Sequence, residues 1–315
     1  MINYDTKNKS FLKVSKEINQ TFMLELKNEK LKDVDPFDPK IRREDKMAVL
    51  LECSINPWYY LREIVRITTP QGELVPFKLD RSSCAQIWLF LLGYDSFTHK
   101  SRQLFKTGSV LGIISWVLLF KTESFDLVNI SLDRSIMSLN KLNDLIYNLP
   151  SWITSNIERS KYAIKNDTTE SEAAIYKRDD FDFLKPKIRF YKSNIHFYDE
   201  FEFINNIEDI YANASVRNSV FGNIITSTLG DKKSESYKFA RRILKSAVEW
   251  DESFYIEYYR FGGKKRLDEI IKGRLVHIEY PFYMVTDYPE KYYLTNRIYI
   301  NDEEKFKREV LLIDK

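Results

Sequence analysis

Short β-type runs alternate with helical stretches through most of this chain, and that alternation restricts the fold more than any single motif does. A strand-and-loop passage, FTHKSRQLFKTGS, precedes a helix over Val110–Phe120. A strand follows at 125–132, then an amphipathic helix, LNKLNDLIYNLPSWI, stopped at Pro150. Residues 160–180 turn polar, as an exposed loop or hairpin edge does. Next come β-runs at Lys187–Tyr191 and Asn194–Tyr198, a helix over Ile204–Ala214, a strand over Gly222–Thr228 and a helix over 236–250. Such a sequence of elements argues for an α/β domain built on a mostly parallel sheet flanked by helices.

The flanking segments read differently. Residues 1–45 are polar, with Phe22, Leu24, Leu26 and Leu31 at helical spacing and a helix-stopping DPFDPK; residues 255–315 carry Gly262-Gly263-Lys264-Lys265-Arg266 and an aromatic patch. Neither has enough apolar periodicity to bury a core alone, so both are expected to pack together as one lid beside a core at 46–254.

The longest apolar run, VLGIISWVLLF at 110–120, falls short of the roughly 20 residues a bilayer crossing needs. The amino terminus lacks an apolar stretch of signal-peptide length, and no membrane partner is expected. The 49 basic and 46 acidic residues leave a net charge of only +3, so any nucleic-acid contact has to be local. Two cysteines and three scattered histidines argue against a disulfide framework or a cage of soft metal ligands, and point to a reducing cytoplasm.

Three segments carry chemistry. Lys100–Ser109, KSRQLFKTGS, lies between a strand and an apolar helix, where a phosphate-binding loop belongs: Lys106 suits the β- and γ-phosphates of ATP and Thr107 a Mg²⁺ ion, beside the N–H groups of a helix start. At Ile195–Ile204, IHFYDEFEFI, a β-run ends in adjacent carboxylates. Asp199 suits the metal and Glu200 a general base on water. The apolar strand NIITSTLG places Thr226, Ser227 and Thr228 where a γ-phosphate can be sensed. Singly, a Lys-Thr pair is ordinary surface chemistry and an Asp-Glu pair a solvated loop; their order along the alternation makes the nucleotide case.

The segments NPWYYLREIVRI (56–67), FKLDRSSCAQIWLFLLG (77–93), SRQLFKT (101–107), FYDEFEFINNIEDIYANA (197–214) and IITSTLGD (224–231) resemble the ATPase region of the tailed-phage terminase large subunit. The resemblance implies a RecA-like P-loop fold with a small lid subdomain, using ATP and Mg²⁺. It also implies that several copies on a portal vertex drive double-stranded viral DNA into a prohead. The partners would then be the DNA, the portal protein, the small terminase subunit, a nuclease domain or subunit, and further copies of the chain, in host cytoplasm and transiently at the portal. By the same resemblance Lys106 and Thr107 take the place of Walker A, with Ser101 and Gln103 in that loop and Arg102 as its arginine. Asp199 and Glu200 take the place of Walker B, and Thr226, Ser227 and Thr228 that of the coupling motif.

Gln86 is a candidate for reading adenine, or a polar residue on an exposed helix face. Arg134 is a candidate arginine finger, or a surface arginine. Lys264, Lys265 and Arg266 are candidates for DNA phosphates, or a solvated turn. Two features depart from the family pattern: Phe105 stands where glycine precedes the lysine, and only Lys192 and Ser193 separate the two β-runs before Asp199. The chain ends near where a nuclease domain would connect, and DNA cleavage is not expected of it. A nucleotide-impaired assembly or regulatory subunit and a helicase-like ATPase outside packaging are the alternative readings.

Overall fold

A computed structural model of the chain describes residues 8–69, 72–154, 156–176, 193–213 and 219–313. The expected β-run Lys187–Tyr191 and the connection at Lys192 lie outside the described residues. The described strands are β1 (Arg66–Thr68), β2 (Leu74–Pro76), β3 (Ser96–His99), β4 (Ser124–Val128), β5 (Ile157–Arg159), β6 (Ala163–Asn166), β7 (Ser171–Ile175), β8 (Ile195–Asp199), β9 (Ile224–Ser227), β10 (Val248–Glu249) and β11 (Val276–Glu279). β1 and β2 pair with each other. The remaining strands form one sheet in the order β10-β11-β3-β9-β8-β4-β7-β6-β5. Pairing is parallel from β10 to β7 and antiparallel from β7 to β5, the expected hairpin edge.

Parallel strands covered by helices on both faces must bury successive side chains. Accordingly β3, β8 and β9 are buried at every position. The apolar run lies in a helix over Lys106–Phe120 whose residues from Ser109 to Leu119 are all buried, in contact with helices Arg81–Leu91 and Leu132–Tyr147. The amphipathic helix starts at Leu132, earlier than its apolar stripe suggests. Ser131 caps it, its hydroxyl accepting from the Arg134 N–H, and Leu139, Leu142, Leu145 and Ile146 face the core.

The two terminal segments do meet. The Phe22 ring lies 5.5 Å from Tyr255 and 5.3 Å from Tyr259, and Lys13 pairs with Asp287 at 2.5 Å. They are not set apart from the core, however. Phe11, Val14, Met23 and Leu31 join the same apolar cluster as the sheet-flanking helices, and β11 adds a strand beside β3, so the sheet runs past the expected boundary at 254. Among the described residues of these two segments, Ile300, Phe306 and Val310 form a small apolar cluster of their own.

Candidate active site

β3 ends at His99, and the chain turns through residues 100–105 before helix Lys106–Phe120 begins. Gln103 and Phe105 both adopt left-handed backbone, with φ 59° and 60°. Turns through that region line up successive N–H groups as an anion-binding concavity, which is why glycine usually fills them. Here Phe105 takes the glycine conformation without being glycine. Its ring is folded sideways: it meets Phe77 edge-on at 5.9 Å and covers Gly108, where an added Cβ would sit 2.2 Å from the Phe105 Cε2. The ring packs on Phe77 and on the first turn of the helix. Gly108 is thus the residue that makes room for Phe105.

The register Asp199↔Thr226 between β8 and β9, with β9 lying between β3 and β8, brings the carboxylates beside the loop. Thr107 Oγ1 donates to Asp199 Oδ2 at 2.8 Å, and Thr226 Oγ1 donates to Asp199 Oδ1 at 2.9 Å. Asn129 Nδ2 approaches the same Oδ2 at 3.4 Å. Burial pushes the Asp199 carboxyl up from its ordinary value; Lys106 and the two hydroxyls oppose this, and neighbouring Glu200 adds to it. A buried carboxylate held by hydroxyls, with its charge not fully offset, suits a hard divalent cation.

Glu200 leaves the strand through left-handed backbone, φ 58° and ψ 47°, which turns its side chain toward the loop. Its Oε1 stands 2.5 Å from Lys106 Nζ, and its Oε2 accepts from the Thr228 N–H at 3.3 Å and the Thr228 hydroxyl at 3.4 Å. Lys106, Thr107, Asp199, Glu200 and Thr228 line a cleft of ≈1010 Å³ that also takes in Gln103, Asn129, Arg134 and Glu309.

Of the other residues singled out in the sequence, Arg134 is exposed in the first turn of its helix and lines this cleft. Arg102 also lines it, but its guanidinium pairs with Glu309 at 2.7 Å, and Ser101 is buried, donating to Val310 O at 2.7 Å. Ser227 is buried, its hydroxyl accepting from the Glu202 N–H. Gln86 is a correction. It is only 2% exposed, and its amide donates to Thr98 Oγ1 at 2.7 Å and Ile225 O at 3.4 Å, so it neither faces solvent nor lines the cleft. Its helix is buried on nearly every face, which leaves no polar side for Gln86 to occupy.

The basic cluster lies elsewhere. Lys264 Nζ donates to Leu92 O at 2.6 Å, near the start of β3 and so at the end opposite Lys106; Arg266 pairs with Glu257 and Glu269, and Lys265 is exposed.

Two parts of the site went unread in the sequence. Lys100 is buried beneath the loop, its ammonium 2.6 Å from Asp80 and 3.1 Å from Ser83 Oγ; the helix-cap pattern of Asp80 with Ser83 was its only trace. The helix Glu303–Glu309 holds the loop from outside. The Arg102 N–H donates to Glu309 O at 2.9 Å, and the Tyr292 hydroxyl donates to Arg102 O at 2.7 Å.

No protein-family model matches this chain, and no curated protein matches it. Among solved structures, the large terminase of bacteriophage HK97 superposes with a TM-score of 0.50 at 12% identity, over 80% of this chain and 50% of its own. The large terminase ATPase domain of Thermus phage P74-26 gives 0.47 at 13% identity, over 74% of this chain and 93% of its own. The large terminase of another thermophilic bacteriophage, in complex with ADP, gives 0.47 at 10% identity, over 74% and 52%. The fold is that of the HK97 large terminase, of which the chain spans about half the length.

Proposed function

We propose that this chain is a Mg²⁺-ATP hydrolase of the terminase large-subunit kind, a motor subunit that moves double-stranded viral DNA through a portal into a prohead. One observation carries the reading. Lys106 and Thr107, at the start of a helix, meet Asp199 and Glu200, at the end of β8, in one cleft, with Thr107 hydrogen-bonded to Asp199 and Lys106 ion-paired with Glu200. The partners that follow are the portal protein, the small terminase subunit, a nuclease domain or subunit, and further copies of this chain around the portal.

Bound Mg²⁺-ATP supplies the electrophilic phosphorus and the leaving group. Lys106 neutralises phosphate charge, the loop N–H groups orient the anion, and Thr107 and Asp199 would hold Mg²⁺, which would offset the charge that develops on the phosphates. Glu200 accepts a proton from the attacking water, which requires its ion pair with Lys106 to open first. Because Thr228 bonds Glu200 through both N–H and hydroxyl, release of that carboxylate is felt along β9. Arg134, at the cleft rim, is placed to meet phosphate charge from its own or a neighbouring copy.

The direct test is hydrolysis of Mg²⁺-ATP by the chain, with and without double-stranded DNA, compared with Lys106→Ala. DNA-stimulated turnover lost in the variant supports the reading; equal turnover in both proteins sinks it. Phe105 separates this reading from that of a nucleotide-impaired assembly subunit. Phe105→Gly removes a Cβ from left-handed backbone, a strain of about 1–2 kcal/mol, and lets phosphate approach more closely. It is expected to strengthen Mg²⁺-ATP binding in calorimetry and to cost less stability than the ~3–5 kcal/mol of a fully buried aromatic. Binding no tighter than the parent's would show that the folded-back ring does not obstruct the loop.

A further inference from the structure

Behind the loop, on one face of the sheet, the parallel register of β10, β11 and β3 assembles a second group of chemical side chains. Register pairs Glu249 with His277 and Glu279 with His99, and His277 and Glu279, two apart on β11, share a face. His99 Nδ1 and His277 Nε2 face each other at 2.8 Å, and Glu279 Oε2 lies 3.9 Å from His277 Nε2. Ligand atoms of these three residues all fall within 4.8 Å of one another.

The outer nitrogens decide what the inner ones can do. His99 Nε2 lies 2.7 Å from Glu202 Oε1, and His277 Nδ1 lies 2.9 Å from Glu249 Oε2. A carboxylate only accepts, so a ring that directs its one neutral N–H to its carboxylate turns a lone pair inward. Two lone pairs facing at hydrogen-bond distance repel unless a cation joins them. The Arg241 guanidinium, 3.0 Å from His99 Nε2 and paired with Glu202, sets a fixed positive charge on the outer side of that ring. A carboxylate on the far nitrogen of each histidine is also how metal-bound imidazoles are oriented and made more basic.

We propose that His99, His277 and Glu279 form a binding site for a divalent transition metal with two nitrogen ligands and one oxygen ligand, of which zinc is the representative ion. Glu202 and Glu249 orient the two rings from outside. Parting the ring nitrogens to the roughly 3.3 Å of a tetrahedral ion with ~2.0–2.1 Å bonds takes only a small rotation, and Glu279, on the exposed side, closes the third position. The ion would pin β11 to the strand that leads into the phosphate loop.

The test is titration of the chelator-stripped chain with Zn²⁺ by calorimetry and with Co²⁺ by its visible absorption. One equivalent should bind, with the intense bands of a low-coordinate Co²⁺ site. Glu249→Gln should weaken Zn²⁺ about 10–100-fold, the usual loss on removing an orienting partner. Glu279→Gln should weaken it as well, and His277→Gln should abolish it. Glu249 and Glu279 are both exposed, so those two variants keep the test decisive even if His277→Gln misfolds. Absence of stoichiometric binding, or binding unchanged in Glu249→Gln and Glu279→Gln, overturns the proposal.

Discussion

Glu200→Gln should lower ATP turnover by about 10²–10⁴-fold, the contribution of a positioned general base, while nucleotide affinity stays roughly unchanged. The amide keeps an oxygen for the Thr228 N–H, so the turn at 200 is retained. It loses the charge that holds Lys106, and that loss cannot weaken phosphate binding because it removes a competitor for the ammonium. Single-turnover hydrolysis beside calorimetric affinity separates the two quantities. Equal single-turnover rates in variant and parent would remove Glu200 from its role.

The second large effect is one of stability. Lys100→Met should cost about 3–5 kcal/mol, the usual penalty for stranding one member of a buried ion pair. Burial alone would push the Asp80 carboxyl up, but the Lys100 ammonium, with bonds from Ser82 and Ser83, outweighs it and holds the group below its ordinary value. A depressed carboxyl stabilises the fold above its unfolded pKa, and that stabilisation is lost as pH falls through the folded value. In the variant the Lys100 contribution vanishes and the carboxyl moves up, so the deficit should be widest near neutral pH and narrow on acidification. Denaturant midpoints across pH measure this; a deficit under about 1 kcal/mol, or one independent of pH, contradicts it.

Lys100 and Lys106 also show what sequence could reveal and what it could not. Both follow the same strand in KSRQLFKT, and the position of Lys106 at the start of an apolar helix marked it as the cleft lysine. Nothing local distinguished Lys100, because its partner Asp80 belongs to the preceding helix cap. The alternation of strands and helices was enough to expect the parallel sheet and the convergence of Thr107 with Asp199, since strand ends in such sheets gather on one edge. Gln86 was misread because helical spacing fixes a face only when one face is polar, and Arg81–Leu91 has almost none. β11 was hidden inside a segment dominated by glycines, lysines and aromatics. The histidines looked scattered because 178 residues separate His99 from His277, a distance that only the register of two strands could close.

The grip of residues 292–310 on the loop at 100–105 has a mechanical meaning. Arg102 is held through its N–H, its carbonyl and its guanidinium, and Ser101 through its hydroxyl, all by residues between 292 and 310. A displacement of that segment reaches the loop through several hydrogen bonds acting in parallel. Conversely, any backbone change in residues 101–102 must either break those bonds or carry residues 292–310 with it. Under the proposed function, a rearrangement of residues 101–102 around a bound phosphate would be passed through these bonds to residues 292–310.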